Sequence, residues 1–119
     1  MLVASSPDDV VRVGVVDSGS PITVADPDFV ASTGVDLSRT DPVMEVPLGL
    51  GAAFGTVPMY LVTMALISPR GQWEPVTWRA LVGSRSPWRY PFSVLFGQRG
   101  WFDTFPTTID GRYSAVDPG

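Results

Sequence analysis

The residues with the most chemical potential lie in one short stretch, Val13-Gly14-Val15-Val16-Asp17-Ser18-Gly19-Ser20. An apolar run delivers a single acid into a turn of small residues. A carboxylate at the end of a buried strand is costly unless it is hydrogen-bonded or paired. Ser18 and Ser20 supply nearby hydroxyls, and Gly19 lets backbone N–H groups approach. Two readings fit these residues. In one, Asp17 is a chemically active carboxylate held by its turn. In the other, it caps the turn through its own backbone, as Asp often does. The chain has no His and no Cys. That removes Ser-His-Asp and Cys-His nucleophiles, imidazole bases, disulfides and His- or Cys-ligated metals. Any catalysis must run on carboxylates, hydroxyls or backbone groups, and no metal or cofactor is expected.

The elements that would position this stretch are short and punctuated. Val10 to Val16 is rich in β-branched residues and predicts a strand running into a turn at Asp17–Pro21. Ile22 to Ala25 resumes as a strand. Asp26-Pro27 opens a short helix or turn through Phe29 and Val30, ending near Gly34. Asp36 to Pro42 is polar loop. Val43 to Leu48 predicts an edge strand, and Gly49 to Gly55 a small-residue loop with one aromatic. Thr56 to Ile67 is the longest strand-like run, followed by a turn at Ser68–Gly71 and a strand over Pro75–Val82. Gly83 to Pro91 is irregular and carries Trp88, Arg89 and Tyr90, which would suit a binding rim, but one aromatic loop is not a site. Phe92 to Phe96 has the apolar character of a buried strand. Gln98 to Asp103 predicts one or two helical turns, with strands at Phe105–Asp110 and Tyr113–Val116. About seven short strands at turn spacing predict an all-β barrel or sandwich.

Composition agrees. The chain of 119 residues is one domain in size, and its 12 Gly and 12 Pro argue against a helical bundle. Hydrophobic residues make up 45 % and charged residues only 17 %, below the roughly 25 % of a typical soluble domain. Such a chain has apolar surface to hide, and a partner subunit is one way to hide it. All eight cations are Arg and they are scattered, against a net charge of −4. No basic stripe tracks a phosphate backbone, so nucleic acid is not an expected partner. No secretory signal is visible and no apolar run approaches the ~20 residues that span a bilayer, so no membrane partner and a cytoplasmic site are expected.

Three features in order give a resemblance. The apolar residues followed by Asp17-Ser18-Gly19-Ser20 resemble the active-site signature of retropepsin-like aspartic proteases. Some thirty residues on, Val46 to Val57 has the place and glycine-rich character of that family's flap hairpin. Val94-Leu95-Phe96-Gly97, leading into Gln98–Phe105, resembles the second signature, two apolar residues and a Gly before a short helix. The resemblance covers roughly residues 10–116. The sequence departs from the family in a short arm before Asp17, Ser18 for the commoner Thr, Phe96 for Leu or Ile, Gln98 for a frequent Arg, and an elaborated Ser84–Pro91 segment.

The resemblance implies a retropepsin-like closed β-barrel with a glycine-rich flap hairpin and one short C-terminal helix. Residues 1–9 would be a leader, 10–116 the protease domain and 117–119 a tail. Asp17 would be catalytic and would need the Asp17 of a second copy, so a homodimer acting on a polypeptide is implied. Ser18 would link the two active-site loops by its hydroxyl. Gly19 would bring an N–H to the carboxylate, and Ser20 would donate to the outer oxygen. Gly49, Leu50, Gly51, Ala52, Phe54 and Gly55 would form the flap and contact substrate, with Ile22 adding to an apolar pocket. Leu95, Phe96 and Gly97 would pack beside the active-site loop. The alternative from another class is a non-catalytic peptide-binding or dimerisation module on the same fold. A third is an unrelated β-barrel in which Asp17 is only a turn residue.

Overall fold

The longest apolar runs make the frame. In the structure, a computed structural model, residues 1–7, 9–47, 55–105, 107–109 and 114–116 are described. Strand β5 (Thr56–Ile67) pairs antiparallel with β6 (Val76–Ser84) from Met59↔Gly83 to Leu66↔Val76. Their side chains alternate, as strand geometry requires. Tyr60, Val62, Met64 and Leu66 of β5 and Trp78, Ala80 and Val82 of β6 are buried, while Leu61, Thr63, Thr77 and Arg79 are exposed. The turn between the strands contains Gly71 at φ +65°.

Around this pair the chain adds β1 (Leu2–Ala4), β2 (Arg12–Val16), β3 (Val24–Ala25), β4 (Met44–Pro47) and β7 (Val94–Phe96). The order is β1-β2-β7-β3-β6-β5-β4, and β1 also pairs with β5, which closes six strands into a barrel with β4 alongside. Strands β2–β7 and β3–β6 run parallel and the other pairs antiparallel. The expected all-β class holds. The segment expected to be a leader is not separate from the barrel. Leu2–Ala4 is its closing strand, with Val3 and Ala4 fully buried. Strands β8 (Thr107–Ile109) and β9 (Ser114–Val116) form a second, two-stranded sheet.

Helix α1 (Pro27–Ser32) lies where Asp26-Pro27 predicts it. Asp26 caps it, its carboxylate accepting the Asp28 N–H at 3.0 Å, and Pro27 opens the first turn, where a missing N–H costs nothing. Phe29 and Val30 are its buried face. The barrel interior is filled by an aromatic group, Trp78, Phe96, Trp101 and Phe105, with ring centroids 4.7–5.9 Å apart. Trp101 and Phe96 are fully buried, each contributing roughly 2–3 kcal/mol of apolar burial.

The expected C-terminal helix is absent among the described residues, and α1 is the one helix there. Residues 98–105 wind through turns instead. Carbonyls that a helix would use internally are taken by core side chains. Thr23 Oγ1 donates to the Arg99 carbonyl at 2.7 Å and Trp78 Nε1 to that of Gly100 at 3.0 Å. Gly100 sits at φ +98°, outside the helical region. Gly49, Leu50, Gly51, Ala52 and Phe54, expected to form a flap, and the 117–119 tail lie outside the described residues. Gly55 is described, at φ +84°, and β4 pairs antiparallel with β5 through Pro47↔Thr56.

Candidate active site

Asp17 follows β2 directly, and β2 is unusual in which side it buries. Val13 and Val15 are 48 % and 38 % exposed, Val11 is also exposed, and the inward residue is Gly14. The reason is the Phe96 ring. A Cβ on Gly14 would stand 2.6 Å from Phe96 Cε2, so only glycine leaves room for that ring in the core. Alternation puts Val11, Val13, Val15 and Asp17 on one side of the strand. The carboxylate is therefore exposed, at the end of a valine row, and not at the end of a strand buried on both faces.

The turn after Asp17 is closed by its own groups. Gly19 N–H donates to Asp17 Oδ1 at 2.9 Å, and Ser20 N–H to the Asp17 carbonyl at 3.2 Å. This is the Asx-type turn of the simpler reading, and it also places the Gly19 N–H where the family resemblance puts it. Ser20 differs from its expected role: its hydroxyl donates to the Ile22 carbonyl at 2.7 Å, because the chain folds back there toward β3. Ser18 is exposed, with its carbonyl accepting from Gln98 Nε2 at 2.6 Å.

From behind, the loop is held by the segment that follows β7. Asp17 N–H donates to the Phe96 carbonyl at 2.8 Å, Gln98 N–H to the Ser20 carbonyl at 2.8 Å, and Arg99 N–H to the Pro21 carbonyl at 3.2 Å. Gly97 lies so close that a Cβ there would be 2.3 Å from the Ile22 oxygen and 2.5 Å from the Ser20 oxygen. Phe96 and Gly97 are thus brought against Asp17–Ser20. Leu95 points to the other face, beside Val15 and Val24 in register, and packs on Ile22, Val24, Val57 and Met59. Ile22 is buried in that cluster, so it is not an open pocket wall.

One residue of this architecture is missed by motif reading. Thr23 is completely buried; its hydroxyl donates to the Arg99 carbonyl and accepts the Gly97 N–H at 3.0 Å. A hydroxyl within the apolar Ile22–Ala25 run is the signal that could have found it. A buried hydroxyl needs partners, and here they lie more than seventy residues away.

Among the described residues the one ion pair is Arg39 with Asp36 at 3.8 Å, so no cation pairs with Asp17 there. No group of three or more Asp or Glu side chains suited to a metal ion occurs among them. No described helix is long and apolar enough to cross a membrane. Comparison of the chain with protein-family models, with curated proteins and with solved structures yields no match.

Proposed function

We propose that this chain is one half of a homodimeric aspartic endopeptidase of the retropepsin kind. The observation that carries the reading is an exposed carboxylate, Asp17, on a glycine turn locked from behind by Phe96–Arg99. The valine row beside it supplies apolar surface for a second copy to cover. One chain offers one such acid, and peptide hydrolysis by this route needs two. A two-fold axis brings the Asp17 of each copy together. Carboxylates that close cannot both ionise, aspartic proteases being the standing example, so the pair holds one shared proton.

The ionised member takes a proton from water, and the water oxygen bonds to the amide carbon of an extended polypeptide. The protonated member gives its proton to the carbonyl oxygen. In the collapse of the resulting gem-diol, the nitrogen takes the proton held by one carboxyl, the C–N bond breaks to release an amine, and one hydroxyl gives its proton to the other carboxylate as the C=O re-forms, which leaves a carboxylic acid and restores the singly protonated pair. No covalent enzyme intermediate forms, which suits a chain without His or Cys. Residues 46–57 close over the peptide, and Ser18 ties one loop to the other. No nucleic acid, metal or cofactor takes part in this scheme.

The test is digestion of an unfolded protein at acid to mildly acid pH. Wild type cleaves, a statine inhibitor blocks it, and Asp17→Asn lowers the rate by about 10²–10⁴-fold or more. Ser20 turning its hydroxyl away from Asp17 favours a second reading, a peptide-binding module without hydrolysis. Peptide binding by wild type with no cleavage would decide for that module.

A further inference from the structure

Away from the Asp17 turn, a cavity of about 850 Å³ opens between the start of β5, the end of β6 and the loop that follows β6. Its size is that of a small-molecule site, and none of residues 17–20 lines it. The walls include Leu37, Pro58 and Tyr90, which are apolar or aromatic, and two cations, Arg85 and Arg89. Among the described residues no acidic side chain lines it, although the chain as a whole is at −4. Neither arginine has an ion pair among the described residues. Tyr60, otherwise buried in the core, also reaches the cavity, and its hydroxyl makes no hydrogen bond there among the described residues.

The wall bearing the arginines is stiff. Trp88, Tyr90 and Phe92 pack against one another with ring centroids 5.0–6.0 Å apart. Trp88 Nε1 donates to the Phe92 carbonyl at 2.6 Å, and Arg85 N–H to the Ala25 carbonyl at 3.1 Å. A loop fixed in this way loses little freedom when a ligand arrives. Guanidinium groups match oxyanions with paired N–H donors.

We propose that this cavity binds an organic anion, a carboxylate or phosphate carried on an apolar or aromatic body. The arginines take the oxyanion, Tyr60 offers a further O–H, and Leu37, Pro58 and Tyr90 receive the body. The cavity meets the protease reading only at Thr56 and Val57, at the end of the 46–57 segment, and none of the residues the proposal uses belongs to that reading. The test is an NMR titration of the full chain at low ionic strength, where exposed cations are least screened. Phenyl phosphate, N-acetylphenylalanine and neutral phenol are the probes. Saturable shifts confined to the cavity residues are expected, with at least one anion binding about tenfold or more tighter than phenol. Phenyl phosphate as the tighter anion indicates a phosphate-type ligand, and N-acetylphenylalanine a peptide C-terminus. The double variant Arg85→Gln, Arg89→Gln should lose that preference while keeping its spectrum otherwise. Equal affinity for phenol and both anions, shifts centred elsewhere, or no saturation would overturn the proposal, and these readouts on wild type stand even if the variant does not fold.

Discussion

Replacing Thr23 by valine tests whether the segment behind the Asp17 turn is held together by one buried hydroxyl. The two side chains are nearly the same shape, so packing changes little. The hydroxyl is lost, and with it the 2.7 Å bond to the Arg99 carbonyl and the 3.0 Å bond from the Gly97 N–H. Thr23 is fully buried and its bond with the Gly97 N–H is buried, while its bond to the Arg99 carbonyl is part-buried, so water replaces the second contact only in part and the first not at all. Each stranded backbone group costs about 1–3 kcal/mol, and the extra methyl returns roughly 0.8 kcal/mol. The net loss is about 1–5 kcal/mol out of a total of roughly 5–15 kcal/mol for a domain. Urea unfolding followed by tryptophan fluorescence should show the midpoint falling by roughly 0.5–2.5 M at an unchanged slope of about 2 kcal/mol/M. Thr23→Ser keeps the hydroxyl and should lose about half as much or less. A valine variant as stable as wild type, or a serine variant worse than valine, would refute the reasoning.

Val13→Lys puts a charge on the outward valine row. It should leave unfolding within about 0.5 kcal/mol while converting the proposed dimer to monomer in sedimentation velocity, and a dimer that persists in the variant would remove the valine row from the proposed interface. Asp26→Ala removes the helix cap and should cost about 1 kcal/mol, read as a lowered urea midpoint; an unchanged midpoint would mean the cap contributes nothing. Asp9 accepts from the Ser5 hydroxyl and the Val10 N–H, chiefly the former, which holds its carboxyl below the ordinary Asp range. A lowered folded value means the bonds stabilise the fold above the ordinary Asp pKa and are lost as pH falls through the lowered one. An NMR titration of the Asp9 carboxyl should find its midpoint below the ordinary value, and a midpoint at or above it would contradict the bonding.

What could be read from the sequence was what local pattern decides. The bounds of β5 follow from a long strand-like run, interrupted by Pro58, between turn signals, and α1 follows from Asp26-Pro27. The close approach of Phe96-Gly97 to the Asp17 turn came only as what the family resemblance implies, since the residues alone read as a core strand and a turn. The misses share a cause. Leu2–Ala4 is too short to show a period, and it is a strand because β5 offers it an edge. The helix expected after Gly97 gives way because Thr23 and Trp78, distant in sequence, take its carbonyls. The exposure of Val13 and Val15 turns on an inward glycine making room for a ring from another strand.

The support of the Asp17 turn by Phe96–Arg99 has a consequence for biosynthesis. The groups that hold this turn lie some eighty residues after it, as in the bond from Gln98 to Ser18. Contacts so far apart along the chain form late and slowly in folding. While the ribosome is still making residues 20–95, a nascent chain carries Asp17 without its backing strand. Any hydrolytic power resting on that carboxylate stays switched off during translation, and a growing polypeptide is spared its own product.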